Sequence, residues 1–163
     1  MANKVYVAPE TALSLRDSGG DAVLTLNNLA FGVGRISAQV DRGAGSKPRL
    51  YKWRGIFQFE TAAVVAEVVE LYLAESTNAT DIDGVVGASD AALTAVQISN
   101  LQFMGVVKVQ STSIATDFIG SGYVLISERY FSIGVWNGSA GDNLEATANA
   151  SEVQLIPVPD EIQ

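Results

Sequence analysis

The chain contains no cysteine and no histidine. Without cysteine there is no disulfide framework, no thiolate nucleophile and no sulfur metal site. Without histidine the usual general base near neutral pH, the commonest metal ligand and any Ser-His-Asp triad are missing. Charged residues are scarce at 17%, proline occurs four times and methionine twice. No window holds the roughly 18 apolar residues that a membrane-spanning helix needs. The first twenty residues also lack an apolar run of signal-peptide length, so synthesis in a cytoplasm is expected. Carboxylate-pair and lysine chemistry survive these exclusions. Among the eighteen carboxylates, however, no spacing marks a hydrolytic pair, and a non-enzymatic role is expected.

What is present is 163 residues, 48% of them hydrophobic, with abundant Gly, Ala, Ser, Thr, Val and Asn. That length suits one domain with a single core, and the composition suits strands and turns better than a helical bundle. The net charge of −8 is unevenly spread. Residues 1–54 hold eight basic and four acidic side chains, whereas residues 55–163 hold two basic and fourteen acidic ones. Segregation of this kind can steer docking, or head-to-tail association of copies, unless the two halves fold back together and cancel.

Period-2 alternation recurs along the chain. It predicts strands over residues 23–27, 35–40 and 50–59. In the last of these, Tyr51, Trp53, Phe57 and Phe59 share one face, while Lys52 and Arg54 take the other. A turn is expected near 60–66, then a strand to about residue 74. Residues 76–100 read as a long loop, with Ser89 and Asp90 capping a short helix over residues 91–93. Further strands are predicted over 101–110, 122–127, 130–136 and 151–156, after which Pro157 and Pro159 should end ladder pairing. Roughly eight to ten short strands predict an all-β, antiparallel sandwich of jelly-roll type.

Few motifs suggest chemistry. DIDGVVGASD (81–90) clusters aspartates as calcium loops do, but Val85 and Val86 stand where an EF-hand needs an oxygen ligand and a glycine, so no metal is assigned. GVGRIS (32–37) lacks the third glycine of a dinucleotide fingerprint and reads as a turn or bulge; no cofactor is expected. The segment 42–54 gathers Arg42, Lys47, Arg49, Lys52 and Arg54 around a flexible loop. Its alternation puts rings and charges on opposite faces, which suits an acidic protein partner better than nucleic acid. Three Asn-x-Ser/Thr sequons, at Asn78, Asn137 and Asn149, are ascribed to chance in so Asn-, Ser- and Thr-rich a chain. Trp136, followed by the polar run NGSAGDN, could with Trp53 form a sugar-stacking platform, but a strand tryptophan more often anchors a core or an interface.

The succession LYKWRGIFQFETA, EVVELYLAES, NLQFMGVVKV, SGYVLISERYFSIGVWN and VQLIPVPDEIQ, from residue 50 to the C-terminus, resembles a family of small virion structural proteins of tailed bacteriophages. The RYxSxxVWN strand and the terminal PVPDEIQ are its most specific parts. The resemblance implies a jelly-roll-like decoration (cement) protein on the outer capsid surface. Its partners would be the major capsid protein and its own copies, as a homotrimer at three-fold sites, with neither nucleic acid nor membrane involved. It supplies no catalytic residues. Contact elements would be residues 1–10, the basic segment with Arg42, Lys47, Arg49, Lys52 and Arg54, then Trp136, and residues 157–163 with Pro157 and Pro159. A tail or head–tail connector position, and a carbohydrate-binding module for host-surface recognition, are the competing expectations.

Overall fold

The structure is a computed structural model that describes residues 10–114, 116–139 and 141–158. Two sheets pack face to face as a β-sandwich. The first sheet has the order β2-β1-β11-β5-β9, with β1 (Leu13–Arg16), β2 (Ala22–Val23), β5 (Leu50–Phe57), β9 (Phe118–Leu125) and β11 (Glu152–Pro157). The second has the order β7-β3-β10-β6-β8, with β3 (Val33–Ile36), β6 (Val68–Ser76), β7 (Ala91–Leu93), β8 (Gln102–Lys108) and β10 (Tyr130–Asn137). The short β4 (Val40–Asp41) also pairs with β10. All ladders are antiparallel except that between β1 and β2. This arrangement is compatible with a jelly roll.

The alternation in β5 works as the sequence predicts. Tyr51, Trp53 and Phe57 are buried inside the sandwich, and Phe59 continues the row. From the other sheet Val69, Leu71 and Leu73 of β6, Val107 of β8, and Phe131, Ile133 and Val135 of β10 meet them. At roughly 1.5–3 kcal/mol for each large apolar side chain buried, these two inner faces dominate the stability of the fold.

β10 is buried on both sides over residues 131–135. The reason is the long segment after β6, which folds over the outer face of the second sheet. A second apolar cluster forms there from Ile36, Ala74, Ile82, Val86 and Leu93. Space beneath it is tight: a Cβ on Gly134 would stand 3.0 Å from Leu93 Cδ2. The segment read as a long loop therefore covers its own sheet.

Several expectations need correction. Residues 91–93 are strand β7 rather than a helix capped by Ser89 and Asp90. The helix is α1 (Ala95–Ile98), and Thr94 and Gln97 form its capping box. Asp90 has other partners, described below. The strand expected over 23–27 stops at Val23. Leu24 and Leu26 still point inward, but Leu26 N–H and Asn27 N–H donate to the Asp17 carboxylate (2.6 and 3.2 Å), where a strand would offer carbonyls. GVGRIS is no bulge, since Gly34 lies within β3 facing Trp136 and Leu93; the turn lies at Gly32, with φ +67°. β9 starts at Phe118, four residues early, because Gly120 and Gly122 hide its alternation from the sequence. The β11 ladder ends at Pro157, and one further bond follows it, from Val158 N–H to Leu50 O (2.9 Å). β1 pairs with β11 only as far as Leu155, so the ladder side where Pro157 lacks an N–H is open.

Candidate interaction surface

The basic segment divides into a buried and an exposed part. Arg42 is buried, and its guanidinium is consumed within the chain. Nη1 donates to Ile126 O (3.0 Å) and Glu128 O (3.2 Å), and Nη2 donates to Pro48 O. The group stacks 5.2 Å from the centroid of the Tyr51 ring. Glu10 completes the cluster, lying 3.6 Å from Arg42 Nε and 3.8 Å from Lys47 Nζ and accepting from the Tyr51 hydroxyl. Arg42 thus holds residues 42–48 against the β9–β10 turn, and it is not free to meet a partner. A planar fork with five donors suits a site of several carbonyls.

Lys52 and Arg54 point away from the core, on the outer face of the first sheet. The register places Lys52 between Tyr123 of β9 and Ile156 of β11, and Arg54 between Ser121 and Gln154. Around them stand large apolar side chains open to solvent: Ile119 at 45%, Tyr123 at 65% and Leu125 at 60% exposure. Ile156 joins them on β11. Neither Lys52 nor Arg54 is in an ion pair among the described residues. The result is an apolar face carrying two cations. Contiguous exposed apolar surface of this kind marks interaction sites on soluble domains.

The rim of this face is concave. Three clefts adjoin at Ser127, in the turn between β9 and β10. One, of about 250 Å³, is lined by the basic residues Arg42, Lys47, Arg49 and Arg129 together with Glu128. A second, of about 340 Å³, is lined by Glu75, Asp81, Asp83 and Glu128. The third, of about 420 Å³, is lined by Arg49, Glu75, Gln102, Leu125 and Ser127. Basic and acidic halves of the sequence therefore meet at this end of the sandwich. Glu75 ties the turn down by accepting from Ser127 N–H (2.6 Å) and Glu128 N–H (3.0 Å). Arg129 grips Asp41 with two 2.7 Å hydrogen bonds, which with the Gly43 N–H hold that exposed carboxyl down to about 2.

Asp90, Tyr72, Asp81 and Asp83 have partners within the fold. Burial pushes the Asp90 carboxyl up, but the Arg35 guanidinium and the Thr25 hydroxyl and N–H outweigh it and hold it below its ordinary value. Arg35 Nε donates to Asp90 at 2.9 Å, Thr25 Oγ1 at 2.7 Å and Thr25 N–H at 3.1 Å. Burial, aided by the neighbouring Glu70 carboxylate, pushes the Tyr72 hydroxyl up to about 12. In the aspartate-rich loop, Asp83 accepts from Glu75 N–H and Asp81 from the Asn78 amide. Asp81, Asp83 and Asp90 thus serve separate partners. Among the described residues no three acidic side chains gather as a metal site would require.

The two tryptophans lie on different layers. Trp53 is buried between the sheets, whereas Trp136 lies partly exposed on the outer face of the second sheet, its ring over Gly34. They form no joint platform. Pro157 ends β11 beside Tyr51, and Pro159 lies outside the described residues, as do residues 1–9 of the expected N-terminal arm. Sequence reasoning missed the apolar half of the face, since Ile119, Tyr123 and Leu125 lie in a glycine-interrupted run whose outward side only the register reveals. No protein-family model matches this chain, and no curated protein matches its sequence.

Proposed function

We propose that this chain is a non-enzymatic structural subunit of a tailed-bacteriophage particle, a decoration protein that binds the outer surface of the head and bridges major capsid proteins. The observation that carries the reading is the outer face of the first sheet. Lys52 and Arg54, in no ion pair among the described residues, stand there among exposed Ile119, Tyr123, Leu125 and Ile156. Apolar area would supply affinity for the capsid protein, and the two cations would supply orientation against an acidic patch on it. The resemblance of residues 50–163 to small virion proteins supports the particle as the setting. The Arg42 hub ties residues 42–48 to the β9–β10 turn at one end of this face.

The test is re-addition of purified protein to particles stripped of it. Wild-type protein should rebind and restore resistance to heat or low salt, while the Lys52→Glu/Arg54→Glu double variant should rebind at least tenfold more weakly. Particles whose stability ignores the protein would refute cementing. A copy number of a few tens, or recovery in isolated tails, would place the subunit at a tail or connector instead.

A further inference from the structure

From the free margin of β9 we infer that two copies of this chain associate by antiparallel pairing of their β9 strands about Gly122, joining their first sheets into one of ten strands. This goes beyond the docking reading and stands without it. β9 hydrogen-bonds to β5 on one side only; among the described residues the main chain of Phe118–Leu125 has no ladder on its other side, while β8 of the second sheet packs beneath it, a Cβ on Gly120 standing 3.2 Å from Val106 O. Its sequence, FIGSGYVL, holds no charge and no proline. Those are the usual devices that keep an edge strand from pairing.

The other margins among the described residues are blunted. β2 has two residues, β7 has three, and β8 carries a bulge where its register with β6 shifts at Leu71/Tyr72. β9 alone presents a long, regular edge.

The second copy is favoured as occupant by complementarity. In a pairing centred on Gly122, Ile119 faces Leu125 of the second copy and Ser121 faces its Tyr123. All four are outward residues, so each cross-strand pair lies on one face. No like charges meet along the ladder, although each chain carries −8. Just beyond the strand, Asp117 reaches Ser127 of the second copy, beside the cleft that Arg49 lines with Leu125. Neither Asp117 nor Arg49 is in an ion pair among the described residues, and the Asp117 carboxylate accepts one hydrogen bond, from the neutral Gln58 amide (2.6 Å). The two-fold axis makes this contact twice. Glu75 lines the same cleft, but its carboxylate is engaged by the Ser127 and Glu128 N–H groups. The pairing would leave Lys52, Arg54 and Tyr123 of both copies on one doubled outer face.

A pairing of one eight-residue edge strand falls at or below the small end of specific interfaces, about 1,200 Å² in total, and a dissociation constant in the micromolar range is expected. The experiment is sedimentation equilibrium of the full chain up to about 100 µM, with folding of each variant checked by circular dichroism. The expected result is a dimer of the 17.2 kDa chain. Tyr123→Lys should weaken it at least tenfold. Asp117→Arg and Arg49→Glu should each weaken it several-fold, and the two together should restore it. A monomer throughout, a trimer such as a three-fold capsid site implies, or a dimer indifferent to Tyr123→Lys would overturn the pairing. Re-addition to stripped particles reads docking separately, so a chain that docks without dimerising refutes this inference alone.

Discussion

Trp53 and Gly105 occupy one space from opposite sheets. A Cβ on Gly105 would stand 2.5 Å from Trp53 Cζ2, and one on Gly122 would stand 2.7 Å from Trp53 Nε1. The indole is thus slotted between β8 and β9, where the edge strands of the two sheets pack closely. Gly105→Ala and Gly122→Ala should each overpack this slot and destabilise the fold by about 1–3 kcal/mol. Urea denaturation followed by tryptophan fluorescence measures the loss. Gly87→Ala, with no atom within 4 Å of its Cβ, is the control and should change stability by less than about 0.5 kcal/mol.

The contact between Asp90 and Arg35 fastens the covering segment to β3. Asp90→Asn should cost about 1–3 kcal/mol, because it weakens a charge-assisted pair and two bonds from Thr25. The native carboxyl titrates below its ordinary 3.8. The charged form is therefore favoured by folding, and its contribution is present above the unfolded value and lost as pH falls through the native one. Wild type and Asp90→Asn should differ fully at pH 7 and converge as pH drops well below 3.8. A difference that persists undiminished in acid would mean that packing, not ionisation, sets the cost.

Arg42 and its basic neighbours should separate cleanly in mutagenesis. Arg42→Lys keeps the charge but cannot reach the carbonyls of Pro48, Ile126 and Glu128 together, so it should lower stability by about 1–3 kcal/mol. Arg49→Ala removes an exposed side chain and should shift stability by less than about 0.5 kcal/mol. Thermal unfolding of the two variants side by side checks the contrast. Equal effects would show that Arg42 is no hub.

Local patterning carried far in this chain, and its limits have physical causes. Tyr51, Trp53, Phe57 and Phe59 declared their shared face through spacing alone, because a strand repeats every two residues. The sandwich followed from many such runs. Leu24 and Leu26 misled, since side-chain carboxylates from Asp17 and Asp90 satisfy the nearby backbone in place of a neighbouring strand. Asp90 misled too: as a residue before an alanine run it resembles a helix cap, yet its partner Arg35 lies 55 positions away. The candidate face was half visible. Lys52 and Arg54 announced a wet side of β5, but only the β5–β9 register brings Tyr123 beside Lys52. Arg42 looked like its basic neighbours, and burial alone sets it apart.

The outer face of the first sheet predicts a characteristic response to salt. If Lys52 and Arg54 meet an acidic patch, their share of docking is screened over roughly 8 Å at physiological ionic strength and over roughly 3 Å at 1 M. The share from Tyr123, Leu125 and Ile156 is apolar and should survive or strengthen in kosmotropic salt. Binding of wild-type protein to stripped particles should therefore fall several-fold between low and moderate salt and then level off. Lys52→Ala/Arg54→Ala should start lower and show a flatter salt dependence, whereas Tyr123→Ser/Leu125→Ser should keep the slope and lose the plateau. Pull-down across a salt series measures both terms. Identical slopes in wild type and the cation-less variant would detach the two basic residues from docking and leave the apolar side chains as its whole basis.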